Sequence, residues 1–324
     1  MKHKIAFPLF SLLLCIQSVL NPSWAQSDYP RKQVNIVVGY AAGGGSDAIA
    51  RMFAQLYSEE FAQPFVVENK PGAGGNIGAE YVSKANDPYK LLFGVGAHVI
   101  NASLYKKIPY DPIKDFSPVS LIAVAPNVLS AKPSLGIKNL RELIALAKSK
   151  PGQLSYASPG SGTPMHLAME LFCSMAGIKL VHVPYNGVAS IASTIGGHTD
   201  LLTMSLPTVL PHLKSGNLIG LGVTSQTRSS LMPDLPTVAE AAGLPDYEAL
   251  AWYGMLAPAT MPAGAVQKLN AAIEKSLKIP EVRSKLLAQG FEPTRNSPAD
   301  FTKFLVADME KWAKVVKASG ATAD

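Results

Sequence analysis

Two glycine-rich stretches, each set between a strand-like run and a helical pattern, are the residues whose types and spacing could do chemistry. Val34 to Val38 leads into Gly39-Tyr40-Ala41-Ala42-Gly43-Gly44-Gly45-Ser46-Asp47, and a helical pattern covers 48–61. Phe65 to Lys70 leads through Pro71 into Gly72-Ala73-Gly74-Gly75-Asn76-Ile77-Gly78, and a helical stretch covers 79–85. Glycine lets backbone N–H groups turn toward a ligand with no Cβ in the way. A helix N-terminus adds unbonded N–H donors and a partial positive charge. Two such loops on neighbouring strands form a pincer for an anion, with no charged side chain needed. Asp47 is placed to cap its own helix.

A third loop repeats the plan. Ser158-Pro159-Gly160-Ser161-Gly162-Thr163 follows a strand-like run and opens a helix. The amides of Gly160, Ser161 and Gly162 and the hydroxyls of Ser161 and Thr163 could complete the grip. His98 and His166 lie at strand or glycine-loop ends, where ligands of α/β sheets collect. His182 and His212 read as structural. Asp200 follows the Gly196-Gly197 turn and either meets ligand or organises its loop.

Other chemistries fit less well. Gly43-Gly44-Gly45-Ser46-Asp47-Ala48 satisfies the G-x-G-x-x-A dinucleotide form, and Glu68 stands where a ribose-binding acid would. An Asp47 carboxylate beside a pyrophosphate argues against it, and the second loop would have no role. The nearest approach to a G-x-S-x-G elbow, Gly44 to Ala48, ends in alanine. No two of His98, His166, His182, His198 and His212 have H-x-x-x-H spacing, so neither a metal nor a cofactor is expected. Cys173, in the apolar pattern 169–175, reads as a small buried hydrophobe.

The elements that must position these loops alternate strand and helix, the rhythm of βα units with largely parallel sheets. A strand over 120–125 leaves the first section, and one over 127–131 opens the second. A helix over 139–149 ends at Pro151-Gly152, and strands are expected at 154–157, 180–183, 200–204 and 219–224. From about Leu231 the chain returns, through a strand at 252–257 and three helices. The last helix starts at Ser297 with Pro298 at its first position, and its stripe Phe301, Phe304, Leu305, Met309, Trp312, Ala313, Val316 should pack on the first lobe. A chain that leaves one lobe, builds a second and returns makes a hinged cleft. Lobe 1 is read as 26–123 plus 227–324 and lobe 2 as 124–226, with hinges near 121–126 and 224–231.

The N-terminus is a secretory signal by composition. Lys2 and Lys4 precede an apolar run, Ile5 to Leu20, and Ser23-Trp24-Ala25 offers cleavage after Ala25. The run is short of the ~20 apolar residues that span a bilayer. The net charge is +6, two of it from Lys2 and Lys4, and no Lys/Arg run reaches a nucleic-acid patch.

Tyr40 to Arg51 and Val66 to Gly78 resemble signatures of the Bug family, the substrate-binding receptors of tripartite tricarboxylate transporters. So do Ser158 to His166, His182 to Gly187, Pro233 to Glu240 and Trp252 to Pro258, in the family's order. The resemblance implies an α/β fold of two lobes, periplasmic-binding-protein-like with a type II crossover. Each lobe is a mostly parallel sheet flanked by helices. It implies a periplasmic, non-enzymatic monomer that closes on a small carboxylate and passes it to a membrane transporter of one large and one small subunit. The expected ligand contacts are Tyr40, Ala42, Gly43, Gly44, Ser46 and Asp47 from the first loop, and Gly74, Gly75 and Asn76 from the second. His98 joins them, with Ser158, Gly160, Ser161, Gly162, Thr163, His166, Tyr185, Asn186, Gly187, Asp200 and Ser205. Selection among ligands is expected from His98, Tyr185, Ser205 and Trp252. Gly197-His198-Thr199-Asp200 replaces the family's usual Gly-Gln-Val-Asp. The alternatives are an exported α/β enzyme acting on a carboxylated substrate, or a sensor receptor with the same site.

Overall fold

The computed structural model describes residues 29–323, so the signal-peptide reading of residues 1–25 lies outside the described residues. The chain begins β1 (Val34–Val38), α1 (Gly45–Phe61), β2 (Phe65–Asn69), α2 (Asn76–Ala85), β3 (Lys90–Val95) and α3 (Ala97–Leu104). Then follow β4 (Phe116–Ala131), α4 (Leu140–Ser149), β5 (Ser155–Ser158), α5 (Pro164–Ala176), β6 (Val181–Pro184), α6 (Ala189–Ile195), β7 (Leu201–Ser205), α7 (Leu206–Lys214) and β8 (Ile219–Val223). The chain closes with α8 (Val238–Ala242), β9 (Leu250–Pro258), α9 (Ala263–Ser276), α10 (Pro280–Ala288), β10 (Glu292–Pro293) and α11 (Pro298–Ser319).

Each glycine loop opens its helix because the apolar spacing switches there from sheet to helix period. In β1, Val34, Ile36, Val37 and Val38 are all buried, as suits a strand covered on both faces. In α1, Ile49, Ala50, Phe53, Ala54 and Tyr57 form the buried stripe. The two strands expected over 120–125 and 127–131 are one, β4, running straight through Pro126. Pro126 pairs with Leu250 at the last position of the β9 ladder, where β4 passes on to β7. A missing N–H costs little at such an edge.

The strand order is β2-β1-β3-β9-β4-β7-β5-β6, with β8 and β10 also on β4. The parallel pairing expected holds among β1, β2 and β3 and among β5, β6 and β7. The long connectors β4 and β9, which cross between the two halves, run antiparallel to every strand they pair with. Register then fixes where the strand ends meet. β3 ends with Val95 opposite Tyr253, which is opposite Ala123 of β4. β7 runs the other way and ends with Ser205 opposite Asn127. The carboxyl ends of the two strand sets therefore point at each other across residues 123–127 of β4. Ligands of α/β sheets collect outside such ends.

The stripe of α11 does not serve the first half alone. Phe301 and Leu305 pack with Trp252 and Leu256. Trp312, Val315 and Val316 instead join Tyr156, Leu167 and Phe172 of the second half. Ile100 and Leu104 of α3 enter the same core. Residues 301–305 and 312–316 lie two to three turns apart, so a 22-residue helix spans both cores.

Candidate functional site

In the first loop the Asp47 carboxylate, 4% exposed, accepts three hydrogen bonds. Gly43 N–H and Arg51 Nε reach Oδ2 at 2.9 Å each, and Asn69 Nδ2 reaches Oδ1 at 2.9 Å. Asn69 also donates to the Tyr40 carbonyl at 3.0 Å. The Arg51 bond, with those from Gly43 and Asn69, lowers the Asp47 pKa to about 2. Asp47 was expected on the ligand; the structure occupies it with folding the loop, and it takes the Gly43 amide with it. Gly43 has φ +88°, a conformation that favours glycine. Ala42, Gly43 and Gly44 are exposed and Ser46 is half-buried, at the open start of α1.

The second loop is clamped from below. The Gly74 carbonyl accepts from Tyr40 Oη at 3.0 Å and Asn101 Nδ2 at 3.1 Å. Asn76 Oδ1 accepts from Asn101 Nδ2 and Tyr110 Oη, both at 2.8 Å. The N–H of Gly75 is bonded to Gly72 O at 3.0 Å, and that of Asn76 to Ala73 O. The Asn76 side chain is thus a loop anchor, and the Gly75 and Asn76 amides expected to grip ligand are engaged within the turn. The two loops touch backbone to backbone: a Cβ on Gly39 would lie 2.8 Å from Gly75 Cα, and one on Gly78 would lie 2.9 Å from Gly39 Cα.

Tyr40, Gly74, Gly75, His98, Asn101 and Tyr110 line a narrow pocket beneath the loops, open to about 20 Å³ of water. That is room for one water molecule. His98 Nε2 lies 2.9 Å from the Pro112 carbonyl, so it carries the ring proton. His98 stacks on Tyr110 at 5.6 Å and meets Phe116 edge-on at 4.8 Å. Its Nδ1 is buried without a partner among the described residues. Burial pushes its pKa down to about 4, so the ring is a neutral acceptor.

The third loop is braced from behind. Ser158 Oγ, fully buried, lies 2.7 Å from His182 Nε2. Thr163 Oγ1 donates to Gly160 O at 2.7 Å and accepts from His166 N–H at 3.3 Å, capping α5. The Gly162 N–H donates to His166 Nδ1 at 3.0 Å. The expected turn at Tyr185, Asn186 and Gly187 supports the loop, with Tyr185 N–H on Ser158 O at 3.0 Å and Gly187 N–H on Pro159 O at 3.2 Å. Ser161 and Asn186 are exposed. A buried serine cannot attack a substrate, so the Ser158–His182 pair is no nucleophile.

One helix ties the loops of the two halves together. On α3, Asn101 holds Gly74, and just past its end the Tyr105 hydroxyl stands 3.1 Å from where a Gly74 Cβ would be. Leu104 packs on Gly162, leaving a Cβ there only 2.5 Å. On the other side Phe291 packs on Gly45, and Gly290 packs on Pro207 at the start of α7. Asn101, Leu104, Tyr105, Tyr110 and Phe291 were not anticipated from sequence. The one available signal was an asparagine among Val99, Ile100 and Leu104.

Two expected residues lie elsewhere. Asp200 sits before β7, at its amino end, where Lys132 Nζ at 2.8 Å and Ser155 N–H at 2.9 Å hold it. The cleft is at the carboxyl end of that strand, so Asp200 staples the outer edge. Trp252 is fully buried, its Nε1 donating to Asp308 Oδ2 at 2.9 Å, and it selects nothing. Ser205, at the carboxyl end of β7, is hydrogen-bonded to Thr208 at 2.7 Å.

The buried neutral histidines have a measurable consequence. His166, like His98, is held down to about pKa 4 by burial, with the neighbouring His182 adding to it. Each folded-state pKa lies below the unfolded value of about 6.5. The stability they contribute is present above about pH 6.5 and lost as pH falls toward 4. Unfolding free energy should fall with a slope of up to about 1.4 kcal/mol per pH unit for each proton taken up. Urea melts at pH 7, 6, 5 and 4.5 measure it; a flat profile over that range would contradict the burial of both rings.

The model of the tripartite tricarboxylate transporter family receptor matches residues 49–321. Rpa4515 of R. palustris, solved with adipate, is 36% identical, with a TM-score of 0.75 over 91% of this chain and 99% of that one. The periplasmic binding protein BugD is 31% identical, with a TM-score of 0.71 over 91% of this chain and 99% of that one. MatC of Rhodopseudomonas palustris, with bound malate, is 30% identical, with a TM-score of 0.71 over 89% of this chain and 100% of that one. These likenesses show the α/β periplasmic-binding-protein fold.

Proposed function

The chain belongs to the tripartite tricarboxylate transporter receptor family, a family of binding receptors and not of enzymes, and from that premise we propose that it captures a small organic carboxylate and delivers it to a membrane transporter. The observation that carries this is the convergence of glycine loops from both strand sets on residues 123–127 of β4. The open start of α1, at Gly44 to Ser46, supports capture of one carboxylate by amides. The exposed Ser161 and Asn186, with the Gly160 backbone, would complete the grip from residues 124–226, read as the second lobe. The lobes hinge near 121–126 and 224–231. Export through a cleaved signal at residues 1–25 would place the monomer in the periplasm, where the transporter's large and small subunits would receive the ligand.

The named ligands of two relatives, adipate and malate, are dicarboxylates. No lysine or arginine lines the pocket beneath the loops. The exposed start of α1 at Gly44 to Ser46 favours recognition of carboxylates by N–H and O–H donors, with charge neutralised by helix starts.

A thermal-shift screen of the mature protein tests the reading, using mono-, di- and tricarboxylates, their amides and neutral sugars. A ligand at 100 times its Kd adds about 2.7 kcal/mol to the native state. The expected result is a rise of several degrees with one carboxylate class and none with its amide. A shift with sugars, and none with any carboxylate, would overturn it.

A further inference from the structure

We infer that the stacked pair His166 and His182 is a proton-sensitive brace that holds loop 158–163 in its ligand-binding shape. The two rings lie face to face, with centroids 3.8 Å apart and planes 11° from parallel. Tyr156 of β5 extends the stack, 4.8 Å from His182. The pair grips the loop at both ends: His182 meets Ser158 Oγ at 2.7 Å, and His166 Nδ1 accepts the Gly162 N–H at 3.0 Å. An imidazole nitrogen that accepts a hydrogen bond carries no proton. A proton added to His166 enters at that nitrogen, because Nε2 already holds the neutral ring's hydrogen. The Gly162 bond is then lost and the two N–H groups oppose each other. A second charge in a stack this close is disfavoured as well. The Gly162 arm of the brace exists only while the His166 ring is neutral, a form that burial favours for both rings.

The titratable groups around the pair are few. β5 brings Tyr156, whose hydroxyl donates to Glu170. α5 brings Glu170 and Cys173, and burial raises the pKa of both. Leu104 of α3 covers Gly162 and brings no charge. Among the described residues packed on the pair, Glu170 is the other group that could titrate in mild acid, and it contacts Tyr156, not the loop.

His166 thus acts as a positioning residue through Gly162, and the inference rests on the reading of loop 158–163 as part of the ligand site. His166→Asn keeps an acceptor at the δ position and removes the titration. His166→Phe keeps an apolar ring and removes the acceptor. The amide of Gly162 is followed by NMR from pH 7.5 to 3.0, through the low His166 pKa of about 4, in both variants, in Glu170→Gln and in the unaltered protein. Binding of adipate and malate is measured in parallel. The Gly162 resonance should move with the His166 ring in the unaltered protein and in Glu170→Gln, stay fixed in His166→Asn, and be unprotected at all pH in His166→Phe. Acid should weaken binding about tenfold more in the unaltered protein than in His166→Asn, the worth of one such bond. A Gly162 amide indifferent to pH, or an Asn variant that tracks the unaltered protein, would overturn the brace. If neither dicarboxylate binds any variant, the receptor's ligand has been misread, and the amide titration still decides the brace.

Discussion

Gly39→Ala should reduce carboxylate affinity by about a hundredfold while the protein stays folded. Gly39 is buried at the end of β1 and its φ is not in the left-handed region, so alanine brings no backbone strain. The whole effect comes from space. The added methyl would lie 2.8 Å from Gly75 Cα and 3.0 Å from Gly75 O. Backbone cannot swing aside as a flexible side chain does, so the second loop must move by most of an ångström. Overpacking of this kind costs about 1–3 kcal/mol of stability. For a chain of this size that is a fall of a few degrees at ~2–4 °C per kcal/mol. Displacing the loop pair would misplace the Gly44–Ser46 amides, and losing about two hydrogen bonds from them to the ligand, at ~1–1.5 kcal/mol each, gives the affinity change. Calorimetric titration with the carboxylate that shifts the melting point measures it. Affinity within threefold of the parent would show that the spacing of the loops does not set the grip.

Asp47→Ala should cost both stability and binding, and by more than loss of one charge on the surface would. Its carboxylate is the common acceptor for Gly43 N–H, Arg51 and Asn69. Alanine leaves those donors facing an apolar methyl, two of them at the base of the loop. Arg51 is half exposed and can turn to water, so the cost is that of the donors left without their charged acceptor, about 2–3 kcal/mol, or roughly 5–10 °C in melting temperature. Asp47→Asn should recover less than half, because its amide N–H₂ meets donors. The sign with pH is fixed by the low folded pKa, about 2 against an unfolded value of 3.8. The stabilisation is present above about pH 4 and lost as pH falls through 2. The gap between parent and Asp47→Ala should therefore be constant from pH 8 to 5 and narrow only in stronger acid. A melting temperature within 3 °C of the parent at pH 7 would remove Asp47 from the loop's foundations.

The glycine loops were legible in the sequence because both their causes are local. Runs such as Gly72 to Gly75 suit places where positive φ is needed, and φ is +134°, +62° and +97° at Gly72, Gly74 and Gly75. Strand direction is not local. Asp200 and Ser205 bracket one five-residue strand, yet only its antiparallel run along β4 decides which end meets the cleft. Sequence placed Ser205 at the ligand and left Asp200 between ligand and loop; register separates them. Asn76 was legible only as a polar residue in a ligand loop, and Asp47 was read also as a cap of its own helix, whereas it takes Gly43 N–H, Arg51 and Asn69 instead. Their partners, Asn101, Tyr110 and Asn69, arrive from other elements. The long stripe of α11 gave its period and its start, and Ser297 does cap the helix. A stripe does not say that two cores lie along it.

That shared helix bears on how the molecule folds. The core around Tyr156, Leu167 and Phe172 takes Ile100 and Leu104 from α3 and Trp312, Val315 and Val316 from α11. Segments before residue 124 and after residue 226 therefore complete the packing of what lies between them. Burial of each such side chain is worth about 1.5–3 kcal/mol, against a total stability of ~5–15 kcal/mol for a domain. A fragment of residues 124–226 made alone would show a bare apolar face and associate through it. The intact chain should melt in one transition, and a polypeptide emerging from synthesis cannot finish its middle until its last helix is made.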